Sequence, residues 1–417
     1  MGFLANKDVC PRVMVYGVPA RERQSEFLSF MRLCVLTSSF PQYPGDYSGI
    51  FVHNQVVGLS RWMSIDVVYT ATAYGRHADD EPFRRIPVRY PFRTVPMASV
   101  RGVDTAHAVE LFNSMARAGL RHAPYDAYLA YWAIPSGLVA TAIKRDKPLI
   151  VWLGGSDINT FGQRFGFKQA IAWTLRRASH VIGVSSELVE KAQALGLERS
   201  RASVIPSGVD VETFFPVDKA RARAELGLPD GLLIAFVGSL LPVKRVDRII
   251  RAVASLRRAP ECSIVLLGDG PEREALEALA RSVGVTCHFA GRVPNGQVPA
   301  ILGACDVFMM ASESEGTPTS AQEAMACGLP VVALNTGGLK DLVGNGRRGL
   351  VVGTERELVS ALRHVLSDDG LRLNMGTAAR RFAVRELALE TSVHRTAAVL
   401  QEVATSKSKV GRENLVD

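Results

Sequence analysis

The sequence lacks the features that would place it among disulfide-bonded, zinc-bound or membrane-spanning proteins. Its six cysteines are scattered and no Cys-x-x-Cys pair occurs, which indicates neither a disulfide framework nor a zinc site. No apolar run approaches the roughly 20 residues needed to span a bilayer. Residues 1–30 show no apolar core followed by a cleavage site, so we expect no signal peptide. These absences predict a protein of the reducing cytoplasm.

A nucleic-acid partner is also disfavoured. The formal net charge is +8 at pH 7, but the excess is spread over the front half of the chain, and no RNA- or DNA-binding motif accompanies it. Such a diffuse charge is equally compatible with a soluble basic protein and with contacts to an anionic membrane face or an acidic acceptor. The composition, 47% hydrophobic and 22% charged over 417 residues, is globular and sufficient for two or three domains.

One stretch, residues 312–334, carries more information than the rest of the chain. An apolar run ending at Ala311 predicts a buried strand before it. Thr317 can cap a helix with Pro318 at its first position, and Gly328 can end that helix. The pattern therefore predicts strand, turn and helix, followed by a further strand.

The beginning of this helix suits an anionic or polyhydroxy ligand. The N–H groups of Thr319 and Ser320 would lack intrahelical acceptors and would lie at the positive end of the helix dipole. Glu315 stands just before the helix and Glu323 lies on it, and carboxylates accept hydrogen bonds from vicinal hydroxyls. Gly316 would let a ligand approach the backbone. Two glutamates alone are more typical of an ordinary capped helix, but the complete string is more specific.

The complete string resembles the E-x7-E signature of retaining glycosyltransferases of family 4, and the flanking Glu-Ala-Met-Ala-x-Gly-x-Pro-Val-Val-Ala agrees with it. The resemblance implies an α/β protein with the GT-B fold, in which two Rossmann-like parallel-sheet domains face a central cleft. It also implies that Glu315 faces the donor sugar and that Glu323 holds the nucleoside ribose. The donor-binding set would further include Gly316, Thr317, Pro318 and Thr319.

A second helix start follows the apolar run Leu232–Val237. Lys244 would lie in its first turn beside free N–H donors, an arrangement that suits a diphosphate. The resembled family reads Gly-Arg-x-x-x-x-Lys here, with both cations on the phosphates, which places Gly238, Ser239 and Lys244 at the donor site. Because Ser239 replaces the family's Arg, Lys244 and neighbours such as Arg245 must supply the positive charge, or donor affinity is lower.

Two further donor contacts are implied by the resemblance. The family carries a Gly-Gly pair that touches the donor phosphates after its first strand, and Ser48-Gly49 align with it, so Gly49 is expected there. The backbone after the strand ending near residue 291 would hold the nucleobase, with Arg292 close by.

The front half departs from the family at two positions. Relatives often carry His where this chain has Tyr131, and His in a His-Gly-x-Asp motif where this chain has Gly154. Tyr131 can still donate a hydrogen bond, and Asp157 of the motif remains. Gly154 would leave room for a bulkier acceptor, or it indicates that the loop differs from that of the relatives. We expect the catalytic set to be Glu315, Lys244, Tyr131 and Asp157, with no metal ligand.

Two segments remain open on the residues alone. The composition of residues 72–97 predicts an arginine-rich loop that is either simply exposed to solvent or in contact with the acceptor. The Asp-Asp-Glu string in this loop lacks the strand pattern that accompanies a metal site. Residues 158–177 mix aromatic and basic side chains, which is typical of core packing and, less often, of a helix that lies on a membrane surface.

The predicted organisation has four parts. Residues 1–30 form a poorly ordered extension, and residues 31–212 form the N-terminal, acceptor-side domain together with a returning helix at 386–403. Residues 213–385 form the nucleotide-sugar-binding domain, and 404–417 a polar tail that frays. Pro and Gly density near residues 205–216 marks the hinge between the domains.

Together these patterns predict a metal-independent, retaining glycosyltransferase without a cofactor, which moves a sugar from a UDP- or GDP-linked donor. The acceptor would be a glycan, a lipid-linked saccharide or a small molecule. Peripheral association with the inner membrane face is compatible with the charge. Two alternatives stay open: a sugar-nucleotide epimerase or phosphorylase of the same fold, and a catalytically weak partner subunit, which the replaced histidines and Ser239 suggest.

Overall fold

The structure is a computed structural model that describes residues 28–41, 49–71, 83–89, 105–163, 166–256, 262–344 and 346–413. These residues form two lobes, each built on a parallel β-sheet with helices on both faces. The predicted α/β architecture with two Rossmann-like domains is therefore confirmed.

The front lobe contains a seven-stranded sheet in the order β3-β2-β1-β4-β5-β6-β7. All its pairings are parallel. Because helices cover both faces, the central strands are continuous apolar runs rather than alternating ones; every residue of β5 is buried. The strands are β1 (Arg32–Thr37), β2 (Ser64–Ala71), β3 (Arg84–Arg89), β4 (Ala127–Tyr131), β5 (Leu149–Leu153), β6 (His180–Gly183) and β7 (Ala202–Val204).

The back lobe contains a six-stranded sheet in the order β10-β9-β8-β11-β12-β13. It is also entirely parallel in its described pairings. Its strands are β8 (Leu232–Val237), β9 (Cys262–Leu267), β10 (Cys287–Gly291), β11 (Val307–Met310), β12 (Val331–Leu334) and β13 (Gly349–Val352).

Helices connect the strands by crossovers. The front-lobe helices are α1 (Ile50–Leu59), α2 (Thr105–Arg121), α3 (Leu138–Ile143), α4 (Ser156–Asn159), α5 (Phe167–Arg177) and α6 (Ser186–Ala194). The later helices are α7 (Lys219–Leu226), α8 (Val246–Ala254), α9 (Arg273–Val283), α10 (Val298–Ala304), α11 (Thr319–Ala326), α12 (Leu339–Val343), α13 (Glu355–Leu366), α14 (Asp369–Phe382) and α15 (Leu389–Glu413). Short 3₁₀ turns occupy Phe161–Gln163, Arg199–Arg201, Pro242–Lys244 and Asn295–Gln297, and single π turns Ala133–Gly137 and Ala383–Leu387.

The strand order locates the ligand-binding edge of each sheet. In the front lobe the order reverses between β1 and β4, and in the back lobe between β8 and β11. Parallel sheets bind ligands at the carboxyl ends of the strands on either side of such a reversal. The segments that follow β1, β4, β8 and β11 are therefore the ones expected to build a site.

The chain returns to the front lobe at its end, but the helix differs from the predicted span of 386–403. Helix α15 runs from Leu389 to Glu413, through most of the segment for which a fraying tail was predicted. Val393 and Leu400 of this helix are buried in the front-lobe core. Gly58 on α1 makes the close packing possible, because a β-carbon there would lie 2.6 Å from Val393.

Other sequence expectations need correction or fall outside the described residues. The front-lobe core starts before residue 31, since Leu28 is buried in it; residues 1–27 lie outside the described part. The loop predicted for 72–97 contains edge strand β3, where Arg85 lies over the Phe40 ring and donates to the Pro41 carbonyl. The Asp-Asp-Glu string at 79–81 and residues 90–97 are not described.

The segment 158–177 packs mainly as core. Phe161 and Ile171 are buried, whereas Phe167 is exposed and Arg177 lies 4.9 Å from the centre of the Trp173 ring. Phe165 lies outside the described residues. Among the helices that are described, none combines the length and the apolar character needed to cross a bilayer.

Candidate active site between the lobes

The loops after β8 and β11 meet at the reversal point of the back sheet. Glu313 N–H donates to the Val243 carbonyl at 2.9 Å, which joins the two loops through their backbones. Lys244 Nζ lies 2.7 Å from Glu315 Oε1. The Glu315 side chain is only 10% exposed and that of Lys244 25%, so the ion pair is largely shielded from solvent. The two segments singled out in the sequence are thus brought into direct contact.

The sequence predicts that Lys244 lies in the first turn of α8, and this prediction is wrong. It ends the 3₁₀ turn Pro242–Lys244, and helix α8 begins only at Val246. Arg245 separates the two with a positive φ of 47°, a backbone conformation that interrupts any helix. Arg245 also ion-pairs with Asp247 and with Glu313, so its charge is already neutralised. Lys244 is left as the cation of this turn that reaches Glu315.

Helix α11 presents free backbone donors beside this pair. Pro318 takes the capping position, and the helix begins at Thr319, one residue later than predicted. Thr317 does not cap it; its hydroxyl instead donates to the Val184 carbonyl of the front lobe at 2.7 Å. The N–H groups of Thr319 and Ser320 have no acceptor within the described residues. They remain available to an anion at the positive end of the helix dipole.

Glu323, one turn further along α11, is half-buried and its carboxylate has no hydrogen-bond or ion-pair partner in the described part of the chain. Burial raises the pKa of Glu323 to about 7. The neighbouring Gln322 is fully buried and donates to Ser207 Oγ at 3.2 Å, which ties this turn of the helix to the hinge. An unpartnered acceptor in such a place suits the hydroxyl pair of a ribose.

Glycines allow the two lobes to touch next to Glu315. A β-carbon at Gly316 would lie 1.8 Å from the Gly154 carbonyl oxygen, and one at Gly155 would lie 2.7 Å from the Gly316 Cα. Gly155 also has a φ of +126°, which strongly favours glycine. Asn159 Nδ2 donates to the Glu315 carbonyl at 3.1 Å across the same boundary. The front-lobe loop after β5 therefore forms the opposite wall of the site.

Asp157 and Tyr131, expected in the catalytic set, are both completely buried. The Asp157 carboxylate accepts hydrogen bonds from the N–H groups of Ala133, Gly155 and Ile158. Desolvation raises the pKa of Asp157, and those three hydrogen bonds oppose the shift. This carboxylate therefore joins the loops after β4 and β5.

The Tyr131 ring stacks on Trp152 with 5.4 Å between centres. Its hydroxyl is enclosed and has no partner among the described residues, and burial raises its pKa. The geometry places Tyr131 inside the wall of the front lobe, underneath the surface that faces the cleft.

The remaining predicted donor contacts lie at strand ends. Gly49 caps α1 with φ +67°, and a β-carbon there would lie 2.2 Å from the Ser39 carbonyl oxygen; Ser48 is outside the described residues. Gly238 donates its N–H to the Leu267 carbonyl, and Ser239 beside it is exposed. Arg292 is exposed at the end of edge strand β10, two strands from β8, and no partner is found for it in the described structure.

Sequence reasoning missed the contacts that join the lobes. Asp341, to which the sequence assigns no role, accepts hydrogen bonds from the Ser186 N–H at 2.8 Å and from its hydroxyl at 2.9 Å. Ser186 opens helix α6 of the front lobe, so a back-lobe carboxylate stabilises that helix terminus. No local pattern could reveal this pair, because 155 positions separate the two residues.

The chain matches two family models in succession. Residues 48–213 match the model described as Glycosyltransferase Family 4, and residues 218–382 match Glycosyl transferases group 1. The chain belongs to these glycosyltransferases. It is accordingly an enzyme of the glycosyl-transferring class, and the resemblance of residues 312–334 to the family 4 signature is confirmed.

Two curated relatives illustrate the similarity. The chain is 29% identical over 319 residues to the GDP-mannose-dependent alpha-(1-6)-phosphatidylinositol monomannoside mannosyltransferase of Mycolicibacterium smegmatis, covering 66% of this chain and 83% of that protein. It is 32% identical over 265 residues to the D-inositol 3-phosphate glycosyltransferase of Rhodococcus jostii, covering 60% of this chain and 58% of that protein. The second match thus spans less than two thirds of the relative's length.

Solved structures show the same fold. Sucrose-phosphate synthase from Thermosynechococcus elongatus superposes with a TM-score of 0.78 at 19% identity, covering 90% of this chain and all of that one. The Anabaena protein Alr3699/HepE, crystallised with UDP-glucose, superposes with a TM-score of 0.68 at 18% identity, covering 89% of this chain and all of that one. The GT-B fold is therefore established.

Proposed function

We propose that this glycosyltransferase moves a sugar, with retention at the anomeric carbon, from a UDP- or GDP-linked donor to a hydroxyl of a glycan, a lipid-linked saccharide or a small acceptor. One observation carries the proposal. Lys244, Glu315 and the free N-terminus of α11 converge at the reversal point of the back sheet, where the front lobe touches them through Gly155 and Gly316.

The donor diphosphate fits between Lys244 and the amides of Thr319 and Ser320. Transfer breaks the bond between the anomeric carbon and the phosphate oxygen, so negative charge grows on the leaving diphosphate. Preorganised donors aimed at that charge supply the largest stabilisation in such sites. The Lys244 ammonium can turn from Glu315 to the diphosphate, which frees the Glu315 carboxylate to accept hydrogen bonds from the sugar hydroxyls.

Retention is proposed from the resemblance to the retaining glycosyltransferases of family 4, and Asp157, the carboxylate expected on the front wall, is not free to act as the nucleophile of a double displacement. The Asp157 carboxylate is buried and holds three backbone N–H groups. In the proposed reaction the acceptor oxygen therefore forms the new bond on the face that the diphosphate leaves. The electron pair of the broken bond goes to the diphosphate, which also takes the proton of the acceptor hydroxyl.

The nucleoside would lie along α11. Within the described residues the Glu323 carboxylate has no protein partner, and two vicinal ribose hydroxyls can donate to its two oxygens. Both UDP and GDP carry this ribose, so Glu323 does not distinguish them. The Anabaena structure contains UDP-glucose and the M. smegmatis relative depends on GDP-mannose, so both nucleotides belong to the proposal.

The reaction is proposed to need no metal and no cofactor. The diphosphate would be neutralised by Lys244, by backbone N–H groups and by the helix dipole. No group of three or more His, Cys, Asp or Glu side chains within the described ranges is arranged to hold a metal ion. We further propose that the protein acts in the cytoplasm, without nucleic acid, and that it can approach the inner membrane face when the acceptor is lipid-linked.

The direct test is ligand-dependent stabilisation of the purified chain. A ligand that binds only the folded state raises the melting temperature by mass action. We expect UDP or GDP, and the matching nucleotide sugars, to raise it, whereas AMP should not. Glu323→Ala should remove most of the rise. A screen without any stabilising nucleotide, or an undiminished rise in Glu323→Ala, would contradict the proposed donor site.

Transfer itself requires an acceptor screen. Once a donor is known, the anomeric configuration of the product can be read by NMR from the one-bond coupling constant between the anomeric carbon and its proton. Retention requires the product to keep the configuration of the donor. An inverted product would overturn the mechanism but not the donor site, so the two parts of the proposal are tested separately.

A further inference from the structure

The front wall of the cleft contains a residue that the functional assignment above does not use. Trp132 directly follows strand β4, at the reversal point of the front sheet. Its φ is +73° with ψ 142°, a conformation that bulky side chains rarely adopt. Such strain persists where the surroundings hold it, and it concentrates at functional sites.

The backbone of Trp132 is held on both sides. Its N–H donates to the Trp152 carbonyl at 2.8 Å, and its carbonyl accepts from the Gly137 N–H at 3.0 Å. The Phe51 ring packs edge-on against the indole, with 5.9 Å between centres and an interplanar angle of 89°. The position and orientation of the indole are therefore determined by the fold.

The indole occupies the space beside Gly154. A β-carbon at position 154 would lie 2.8 Å from Trp132 Nε1 and 3.4 Å from its Cδ1. Any other residue at 154 would have to displace the ring. The Gly154 carbonyl in turn touches Gly316, the residue after Glu315. The edge of the indole that carries Nε1 consequently lies beside Gly154, the residue whose carbonyl meets the back lobe.

The Nε1–H group of Trp132 is available to a ligand. No acceptor for it is found in the described part of the structure. Trp152, in the neighbouring strand, has an Nε1 that is sealed from solvent without a partner, whereas Trp132 is only half-buried and its Nε1 is not among the enclosed atoms. A ligand that covers the indole would bury this donor, and buried Trp N–H groups usually find a hydrogen-bond partner.

We infer that Trp132 contacts the substrate, donating a hydrogen bond from Nε1 to a hydroxyl of a sugar in the cleft, and that Gly154 keeps this position open. The inference rests on the proposed function and deepens it, because it assigns a specificity-determining side chain to the front wall. Both a donor sugar and a carbohydrate acceptor carry such hydroxyls, and the experiment below separates them.

The variant that removes only the donor group and part of the ring is Trp132→Phe. Affinities for the free nucleotide, UDP or GDP, and for UDP-glucose or GDP-mannose are measured by titration calorimetry. If the hydroxyl belongs to the donor sugar, the gain in affinity contributed by the sugar falls by about three- to tenfold, the size of one hydrogen bond, while the affinity for the free nucleotide stays the same. If it belongs to the acceptor, donor binding and donor hydrolysis are unchanged and the acceptor KM rises by the same factor.

A double-mutant cycle tests the pairing with Gly154. In the wild-type background, Gly154→Ala should have the same effect as Trp132→Phe, on the sugar's contribution to donor affinity or on the acceptor KM, because the new β-carbon displaces the indole. In the Trp132→Ala background it should have less than a twofold effect, since the displaced ring is absent. Trp62→Phe serves as a control, because Trp62 lies just before β2, at the edge of the front sheet opposite to the carboxyl ends of its strands, and its ring packs at a tilt against His394.

The outcomes separate this inference from the proposed function. If the wild-type chain binds no nucleotide, the proposed function fails first. If it binds nucleotide and Trp132→Phe changes neither the contribution of the sugar nor the acceptor KM, the inference is wrong while the donor site stands. Equal loss of affinity for the free nucleotide and the nucleotide sugar would likewise overturn it, because it would indicate a general disturbance of the lobe. Trp132→Ala is used only if it retains wild-type affinity for the free nucleotide.

Discussion

The carboxylate of Asp341 in the back lobe accepts hydrogen bonds from the N–H and the hydroxyl of Ser186 in the front lobe. The Asp341 carboxylate therefore provides an acceptor for an N–H group at the start of helix α6 that has no acceptor within the helix. Together with the Thr317–Val184 hydrogen bond, this pair holds the two lobes together beside the proposed donor site.

Replacing Asp341 by Ala should loosen the lobes. The change leaves the Ser186 N–H without its acceptor, and loss of a comparable helix-terminus contact costs about 1 kcal/mol. We expect the free energy of unfolding in urea to fall by about that amount and the KM for the donor to rise severalfold. Ser186→Ala keeps the N–H contact, so it should have the smaller effect. An Asp341→Ala protein as stable and as active as the wild type would show that the pair does not couple the lobes.

Lys244→Ala should weaken binding of the diphosphate specifically. A charge-assisted hydrogen bond is worth roughly 1.5–3 kcal/mol, so the affinity for UDP or GDP should fall by about 10- to 100-fold. The uncharged nucleosides uridine and guanosine serve as controls, and their weaker binding should not change. A matching loss for nucleoside and nucleotide would place Lys244 away from the phosphates.

Nucleotide binding should depend on the ionisation of Glu323. Burial raises its pKa to about 7 in the unliganded protein, and only the charged form accepts from both ribose hydroxyls. Affinity should therefore increase from pH 6 to pH 8, by up to about tenfold, because roughly a tenth of the groups are ionised one unit below the pKa. Glu323→Gln should bind more weakly at pH 8 and lose this dependence.

The stability of the unliganded protein should fall as Glu323 ionises, whereas nucleotide affinity rises. The pKa of Glu323 is higher in the folded protein than the ordinary value of 4.5, so the folded state binds this proton more tightly. The stabilisation that follows is fully present below pH 4.5 and is lost as the pH rises through 7. Without ligand, Glu323→Gln should thus melt at a higher temperature than the wild type at pH 8 and at the same temperature near pH 4.5. A constant difference between the two proteins across this range would contradict the shifted pKa.

Gly316→Ala should abolish transfer without unfolding the chain. Its β-carbon would lie 1.8 Å from the Gly154 carbonyl oxygen, a backbone atom that cannot move unless the lobes separate. We expect kcat/KM to fall by two orders of magnitude or more, since displacement of about 1 Å already costs that much at a reacting centre. Gly296→Ala is the matched control, because a β-carbon there meets no atom within 4 Å. Equal activity of the two variants would show that the lobes need not approach at Gly316.

The local sequence determined the buried strands of this protein and several residues of the proposed site. The continuous apolar runs at Leu149–Leu153 and Leu232–Val237 specified buried parallel strands, because both faces of such strands are covered. Glu315, Glu323 and Lys244 could be singled out because the short strings around them resemble the motifs of family 4. These are short-range properties, so they can be read along the chain.

Tertiary structure decided what each side chain is free to do. The sequence places Asp157 in the catalytic set, and in the fold its carboxylate is engaged by backbone N–H groups from two loops. Arg245 looked like a spare cation, yet Glu313 and Asp247 neutralise it. The environment of Trp132 depends on Gly154, and the role of Asp341 in joining the lobes depends on Ser186. Only the fold brings each of these pairs together. Charge, hydrogen-bonding capacity and strain depend on neighbours far away in the chain, and only folding brings those neighbours together.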